Sequence, residues 1–402
     1  MTLRISTAQM HYNALATMRE RQNEIGKLQQ QIASGVKLTR GADNPTGIAD
    51  AQQIQHVLAS LDQFGSNSTL LGDRLRQQES ALADAGDQLQ RARDLAIQAT
   101  NGTLNDKDRH AIAVELRGLR ASMLQVANRD DGRGRQLFAG TQDGVKPFSD
   151  ASGSVSYLGN DGQNTVDVAP DVALADTDAG SRVFMDVTTG DGISRARAAA
   201  GNTGSGVLDS TQILNSSTWN GATLQLRFTS SSNYDVVDGS GNPLSPPVSG
   251  TWTSGQAITA QGVQFVVTGN PAAGDSFKLE RAPNQDVFAT LKQLADVLDT
   301  PGSTPADVAR RSNGLRAGLE DITSAQQHLL DVRSETGIRS ANLDSADAMR
   351  GANTVAMTDI LSGLRDTDLA DAVSRLQYNM TALDAAQRMM ARLQSSSLFD
   401  KL

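Results

Sequence analysis

Apolar residues recur at every third and fourth position along both ends of the chain and at every second position in the middle, so the sequence predicts long helices around a β-rich insert. Residues 6–34 read as helix. Ser6 or Thr7 supplies a cap, Gly35 a stop, and Met18, Ile25 and Ile32 repeat at seven with Leu28 between them. Arg21 stands where this seam asks for another apolar side chain. Gly41-Ala-Asp-Asn-Pro-Thr-Gly47 cannot continue the helix, and a second one runs from Ile48 to about Thr100. Ile54, Leu61, Leu75, Leu82, Leu89 and Ala96 share one heptad position in it, with Ser68 the polar exception. Unbroken, this helix spans about 80 Å at a rise of about 1.5 Å per residue. Gly65, Gly72 and Gly86 each cost about 1 kcal/mol against alanine, so packing partners must hold them or the helix bends there. A third helix starts at an Asn105 cap with Asp108 in the capping-box place, and carries Ile112, Leu116, Leu119, Met123 and Val126 on one face.

After Phe138 the composition turns to Gly, Ser, Thr, Asp and Val, and period two appears in Leu224–Phe228 and Gln264–Val267. Further strands are expected at Ser154–Leu158, Thr165–Val168, Arg182–Val187 and Ser276–Leu279. Helix resumes at Asn284 with Val287, Leu291, Leu294 and Leu298, stops near Pro301, and restarts at Thr304-Pro305. In the last segment Leu369, Leu376, Leu383 and Met390 share one heptad position, and Val373 and Met380 another. Gln387 and Gln394 then weaken the seam ahead of Leu398, Phe399 and Leu402.

The expected architecture is an α+β multidomain chain, with a long antiparallel coiled coil or bundle formed by the two terminal regions and an inserted β-rich domain. The segments are an N-terminal coiled-coil helix (1–45), two parts of a helical bundle (46–141 and 283–350), the β-rich insert (142–282) and a C-terminal coiled-coil helix (351–402). With Arg21, Gln387 and Gln394 at seam positions, a pair of terminal helices buries too little to offset an ordering entropy of about 1–2 kcal/mol per residue. The missing burial is expected from other subunits, so roughly the first and last 40 residues fold on assembly. The residues expected to carry that contact are Met18, Ile25, Leu28, Ile32, Leu369, Val373, Leu376, Met380, Leu383, Met390, Leu398, Phe399 and Leu402. The bland alternative is that the same stripe is ordinary intramolecular core.

Composition narrows the function classes. The chain has 402 residues, a net charge of -9 and no local basic cluster, which disfavours nucleic acid. Without cysteine there are no disulfides, thiolate metal sites or cysteine nucleophile. No basic start precedes an apolar run and no stretch has the length of a membrane span, so neither a Sec-type leader nor membrane insertion is expected. His11, His56, His110 and His328 stand singly on expected helices, Gly132-Arg-Gly134 and Gly204-Ser-Gly206 lack a dinucleotide fingerprint, and Asp143, Asp161 and Asp191 lack an EF-hand run. No enzyme activity, cofactor or metal is therefore expected. An adhesive, ligand-binding or enzymatic role for the insert is the competing reading.

Specific stretches carry a family resemblance. At the front stand Arg4-Ile-Ser-Thr7, Gln29-Gln-Gln-Ile-Ala-Ser-Gly35 and Ala42-Asp-Asn-Pro45. Next come Glu79-Ser-Ala-Leu82, Leu89-Gln-Arg-Ala-Arg-Asp-Leu-Ala-Ile-Gln-Ala-Thr-Asn-Gly-Thr103, Asp108-Arg109, Ala127-Asn128, Leu137-Phe-Ala-Gly-Thr141 and Pro147-Phe148. Toward the end stand Glu335-Thr-Gly-Ile-Arg339, Asp366-Thr-Asp368, Ala382-Leu383 and Ser397-Leu-Phe-Asp-Lys-Leu402. In order and spacing these resemble the flagellin superfamily, and Pro45-Thr-Gly47 with the Leu137–Thr141 turn favours its hook-filament junction branch over filament flagellin, the alternative. Asn44 departs from the family's usual second Asp but can cap the next helix equally. The resemblance implies a structural subunit of an extracellular flagellum, needed for filament assembly and motility and exported through a type III apparatus without a cleaved signal. Its implied partners are neighbouring copies in a ring, another hook-associated protein on the hook side, flagellin on the filament side, and a cytoplasmic chaperone at the C-terminal helix.

Overall fold

The computed structural model describes residues 7–38 and 44–395. Expectations at Ser6, at 41–43, and at Leu398, Phe399 and Leu402 lie outside the described residues. Among the described residues six α-helices are present: α1 (Thr7–Ser34), α2 (Pro45–Ala99), α3 (Asp106–Ala127), α4 (Val287–Leu298), α5 (Pro305–Arg365) and α6 (Leu369–Ser395). The chain forms two compact units, one of residues up to Ser66 and from Ala346 onward, the other Asn67–Ser345.

In the terminal unit α1 packs against α6. Gly35, at φ +71, ends α1 with its N–H on the Gln31 carbonyl at 2.8 Å, the left-handed stop that a glycine allows. The chain then ties to the α5–α6 junction: Lys37 N–H donates to the Arg365 carbonyl at 2.8 Å, and Thr367 N–H to the Gly35 carbonyl at 2.9 Å. Asn44 caps α2 by accepting from Gly47 N–H at 2.9 Å, so the departure from aspartate leaves the cap intact. At Gly65 the first part of α2 meets the last part of α5 so closely that a Cβ would lie 3.3 Å from Arg350 Nε.

The larger unit has a helical core and a β core. Leu75, Leu82, Leu89 and Ala96 of α2 are buried, with Ile112, Leu116 and Met123 of α3, Leu291 and Leu294 of α4 and Ile322 and Leu329 of α5. α2 runs unbroken through its glycines, and Gly72 sits against Leu343 of α5, where a Cβ would be 3.4 Å away. The α3 capping box is present: Asn105 accepts from Lys107 and Asp108 N–H at 2.9 and 3.0 Å, and Asp108 accepts from Asn105 N–H.

The β-rich stretch divides between these cores. Two hairpins, β1 (Phe148–Ala151) with β2 (Ser154–Tyr157) and β3 (Thr165–Ala169) with β4 (Val172–Ala175), precede β5 (Val187–Thr188). Phe148, Val155 and Val187 from this part join the helical core, where Phe148, Phe184 and Phe288 lie within 5.6–6.1 Å of one another by ring centroid. There follow β6 (Ser194–Ala198), β7 (Val207–Ile213), β8 (Leu224–Phe228), β9 (Asn233–Asp238), β10 (Pro243–Thr251), β11 (Ala257–Ala260), β12 (Val263–Thr268) and β13 (Ser276–Arg281). They form an antiparallel five-stranded sheet, β10-β9-β8-β13-β6, and a three-stranded one, β11-β12-β7, around a shared core that includes Phe228, Phe265 and Phe277. The short β14 (Asn284–Gln285) returns to pair with β5.

Two local expectations fail for physical reasons. Of the expected strand Arg182–Val187 only Val187 is in one, at the start of β5: Ser181–Met185 is a π-helical turn, because burying the adjacent Val183 and Phe184 together in the aromatic cluster is incompatible with alternation. Helix does not resume at Asn284, which pairs in β14; Asp286 is the cap of α4, accepting from Ala289 N–H at 2.6 Å.

Candidate interaction surface

Positions Ala14, Met18, Arg21, Ile25, Leu28 and Ile32 form the more covered stripe of α1, spaced alternately four and three. The matching stripe of α6 is Ala372, Leu376, Asn379, Leu383, Ala386 and Met390. The two helices run antiparallel, with Arg21 near Asn379 and the Gly35 end of α1 at Thr367. Arg21 Nη1 donates to Asn379 Oδ1 at 2.6 Å, and its guanidinium lies 5.8 Å from the centre of the Tyr378 ring. The misfit charge in the α1 seam thus meets a polar residue in the α6 seam.

The expected contact residues separate into groups. Leu28 is buried, Met18, Ile25, Ile32, Leu376, Leu383 and Met390 are half-buried, and Leu369, Val373 and Met380 are exposed. Leu369 and Met380 each retain 53% of their surface. Val373 and Met380 flank one side of the α6 seam; Tyr378 and Met389, which the sequence reading passed over, are exposed flanking residues too. Also missed were Ala372, the one fully buried apolar residue of α6 among the described residues, and Asn379. The signal for Asn379 was present in Arg21, since a charge at a seam position demands a polar partner opposite.

A second constellation, absent from the sequence reading, sits in the larger unit. Arg74 of α2 is clamped by Asp176, with Nε 2.9 Å from both carboxylate oxygens, and reaches Asp131 at 3.1 Å and Thr177 Oγ1 at 3.1 Å. One turn on, Gln78 donates to Asp178 and Thr336 Oγ1, both at 2.7 Å, and accepts from Asp178 N–H at 2.7 Å. Arg339 of α5 and Arg182 also bond the Asp178 carboxylate. Burial pushes the Asp131 carboxyl up, but the N–H groups of Arg133 and Arg135 and the Arg74 guanidinium outweigh it and hold the group below the usual carboxylate range. Every carboxylate here is spent on an arginine or an amide, so the cluster fastens the β3–β4 hairpin between helices and presents no free nucleophile or base.

Among the described residues no group of three or more His, Cys, Asp or Glu is arranged to hold a metal, and no helix is long and apolar enough to cross a membrane. His110 contacts Asp299 at 2.8 Å and His328 the Arg182 carbonyl at 2.8 Å.

Residues 5–143 match the bacterial flagellin N-terminal helical region, and residues 319–401 the bacterial flagellin C-terminal helical region. The crystal structure of FlgL from Xanthomonas campestris is 39% identical and superimposes with a TM-score of 0.72, over 77% of this chain and 99% of that one. The flagellar junction protein FlgL from Legionella pneumophila is 27% identical, with a TM-score of 0.70, over 80% of this chain and all of its own. Flagellar hook-associated protein 3 of Escherichia coli is 23% identical across 99% of each chain.

Proposed function

Because the chain belongs to the flagellin family, in its FlgL or hook-associated protein 3 branch, we propose that α1 and α6 are the polymer-forming part of a structural subunit joining hook to filament. The observation that carries this is the α1–α6 seam, whose only fully buried apolar residues among those described are Leu28 and Ala372, while Leu369, Val373 and Met380 stay exposed. Such a pair gains most of its burial from a neighbour. Met18, Ile25, Leu28, Ile32, Leu376, Leu383 and Met390 then serve in the pair itself, and the exposed flank meets adjacent copies. On the hook side the neighbour is another hook-associated protein, and on the filament side flagellin. Before export the same α6 face suits a cytoplasmic chaperone, since an apolar helical face fits a complementary groove. The segments 1–45 and 351–402 are assigned to this polymer-forming part, and of the stretch 142–282 only β6–β13 forms a module with a core of its own.

Filament flagellin is the weaker reading, because FlgL carries the 39% identity over three quarters of the chain. Catalysis has no role in this account. The test is Leu376→Asp and Leu383→Asp in a motile host, each putting an unpaired charge into the half-buried seam, where it has no partner to offset its desolvation. Normal synthesis with flagellin shed into the medium and no attached filament is expected. Wild-type swimming by both variants would show that an intact α1–α6 seam is not needed for assembly.

A further inference from the structure

Within the larger unit the helical core and the β core share no residue. The chain passes between them twice, outward through Thr189–Ile193 and back through Ala282–Pro283. At this neck Thr189 N–H donates to the Pro283 carbonyl at 3.1 Å, and Ala282 N–H to Ile193 at 3.0 Å. Gly190, at φ +61, has the Ser194 carbonyl 2.1 Å from where a Cβ would stand, so the turn admits only glycine.

One carboxylate from the helical core grips this neck. Asp321 of α5, 3% exposed, accepts from Gly190 N–H at 2.8 Å and pairs with Arg195, itself 4% exposed, and with Arg197 at 3.5 Å. Further ties between α5 and the β body are polar and closer to solvent, among them Asn313 to Leu208 N–H at 2.8 Å and to the Gly206 carbonyl at 3.0 Å, Arg316 to Asp209 at 3.0 Å, and Arg310 to the Asn202 carbonyl at 3.5 Å. An exposed ion pair such as Arg316–Asp209 contributes about 0–1 kcal/mol. Beside the neck lies a 440 Å³ cleft lined by small residues, among them Ala198, Gly204, Ala309 and Ala317, which leaves room for rotation. A polar joint between two separate cores, with space next to it, is the arrangement in which relative motion is the default.

We propose that the β6–β13 body is hinged on the helical core at this neck and that Asp321 is the pin that locks its orientation. The proposal is independent of the assembly role of α1 and α6. The chain has no cysteine, so Ala121→Cys on α3 and Ser240→Cys beyond β9, both exposed, allow two nitroxides to be placed without background on the full-length protein. Pulsed electron spin resonance then reads the distance between the bodies. The parent should give one narrow distribution, and removing the two buried charges in R195M/D321A, which leaves only the half-exposed Arg197 without this partner, should at least double its width. D321N offers the same readout should the double variant fail to fold, and N313A/R316A should leave the width unchanged. Equal widths in the parent and in folded Asp321 variants would overturn the hinge. Equal broadening by N313A/R316A would overturn the assignment of Asp321 as the lock.

Discussion

At the scale of single residues, Arg74 decides more than any position in the terminal seams. It faces two carboxylates, and all three side chains are at most 7% exposed, so its removal leaves Asp176 buried without its cation and Asp131 with only the Arg133 and Arg135 N–H groups. Breaking a buried pair from one side costs about 3–5 kcal/mol, and Arg74→Met should lower the urea midpoint of the larger unit accordingly. Asp131 adds a pH signature. Its pKa in the folded chain lies below the unfolded one, so its stabilisation is complete above the unfolded value, about 4, and is lost as pH falls through the depressed folded value. Asp131→Asn should therefore flatten the fall in urea midpoint below about pH 4, with the parent's steeper acid limb as reference; identical slopes would contradict it. None of this was legible in the sequence. Arg74, Asp131 and Asp176 are far apart along the chain and each looks like ordinary surface charge, and only the fold brings them together.

At the scale of elements, what the sequence disclosed depended on whether an element's burial follows a period. α2 did: its heptad leucines are buried as expected, and even the polar exception, Ser68, is inside. β8 and β12 did, with strictly alternating burial. β10 did not, since it lies at a sheet edge, carries Pro243, Pro246 and Pro247 and is almost wholly exposed, so no alternation marks it. The α1–α6 pair is intermediate, because the seam was legible from either helix but its polar layer, Arg21 with Asn379, only from both together. A polar layer in a coiled coil sets register at a cost in stability. Replacing both residues with leucine should slow hydrogen exchange across α1 and α6 in the free chain, whereas Arg21→Leu alone strands Asn379 and should gain less. Exchange that is unchanged in the double variant would show that this layer is not what keeps the pair weak.

At the scale of the whole molecule, burial is distributed unevenly, and the asymmetry has a consequence for assembly. In the unit formed by the chain's two ends, the only fully buried apolar residues among those described are Leu28, Ala51, Leu61, Ala346 and Ala372, three of them alanines. The unit Asn67–Ser345 holds both hydrophobic cores and seven fully buried phenylalanines. Local opening free energy follows buried apolar contact, so the two units should differ widely in exchange even though both are helical. In the free chain, amides of α1 and α6 should exchange at rates approaching those of a fraying terminus, while those of α3 and α4 exchange only through much rarer opening. On the proposed assembly, in which a neighbour covers the exposed face of α6, incorporation into a polymer should slow its amides by at least ~100-fold, leaving α3 and α4 nearly unchanged. The measurement compares one protein in two states, so intrinsic sequence effects on exchange cancel. Protection throughout residues 8–34 in the free chain, as strong as in α3, would mean that the terminal helices are held by their own pair, and the neighbour would then have no ordering left to supply.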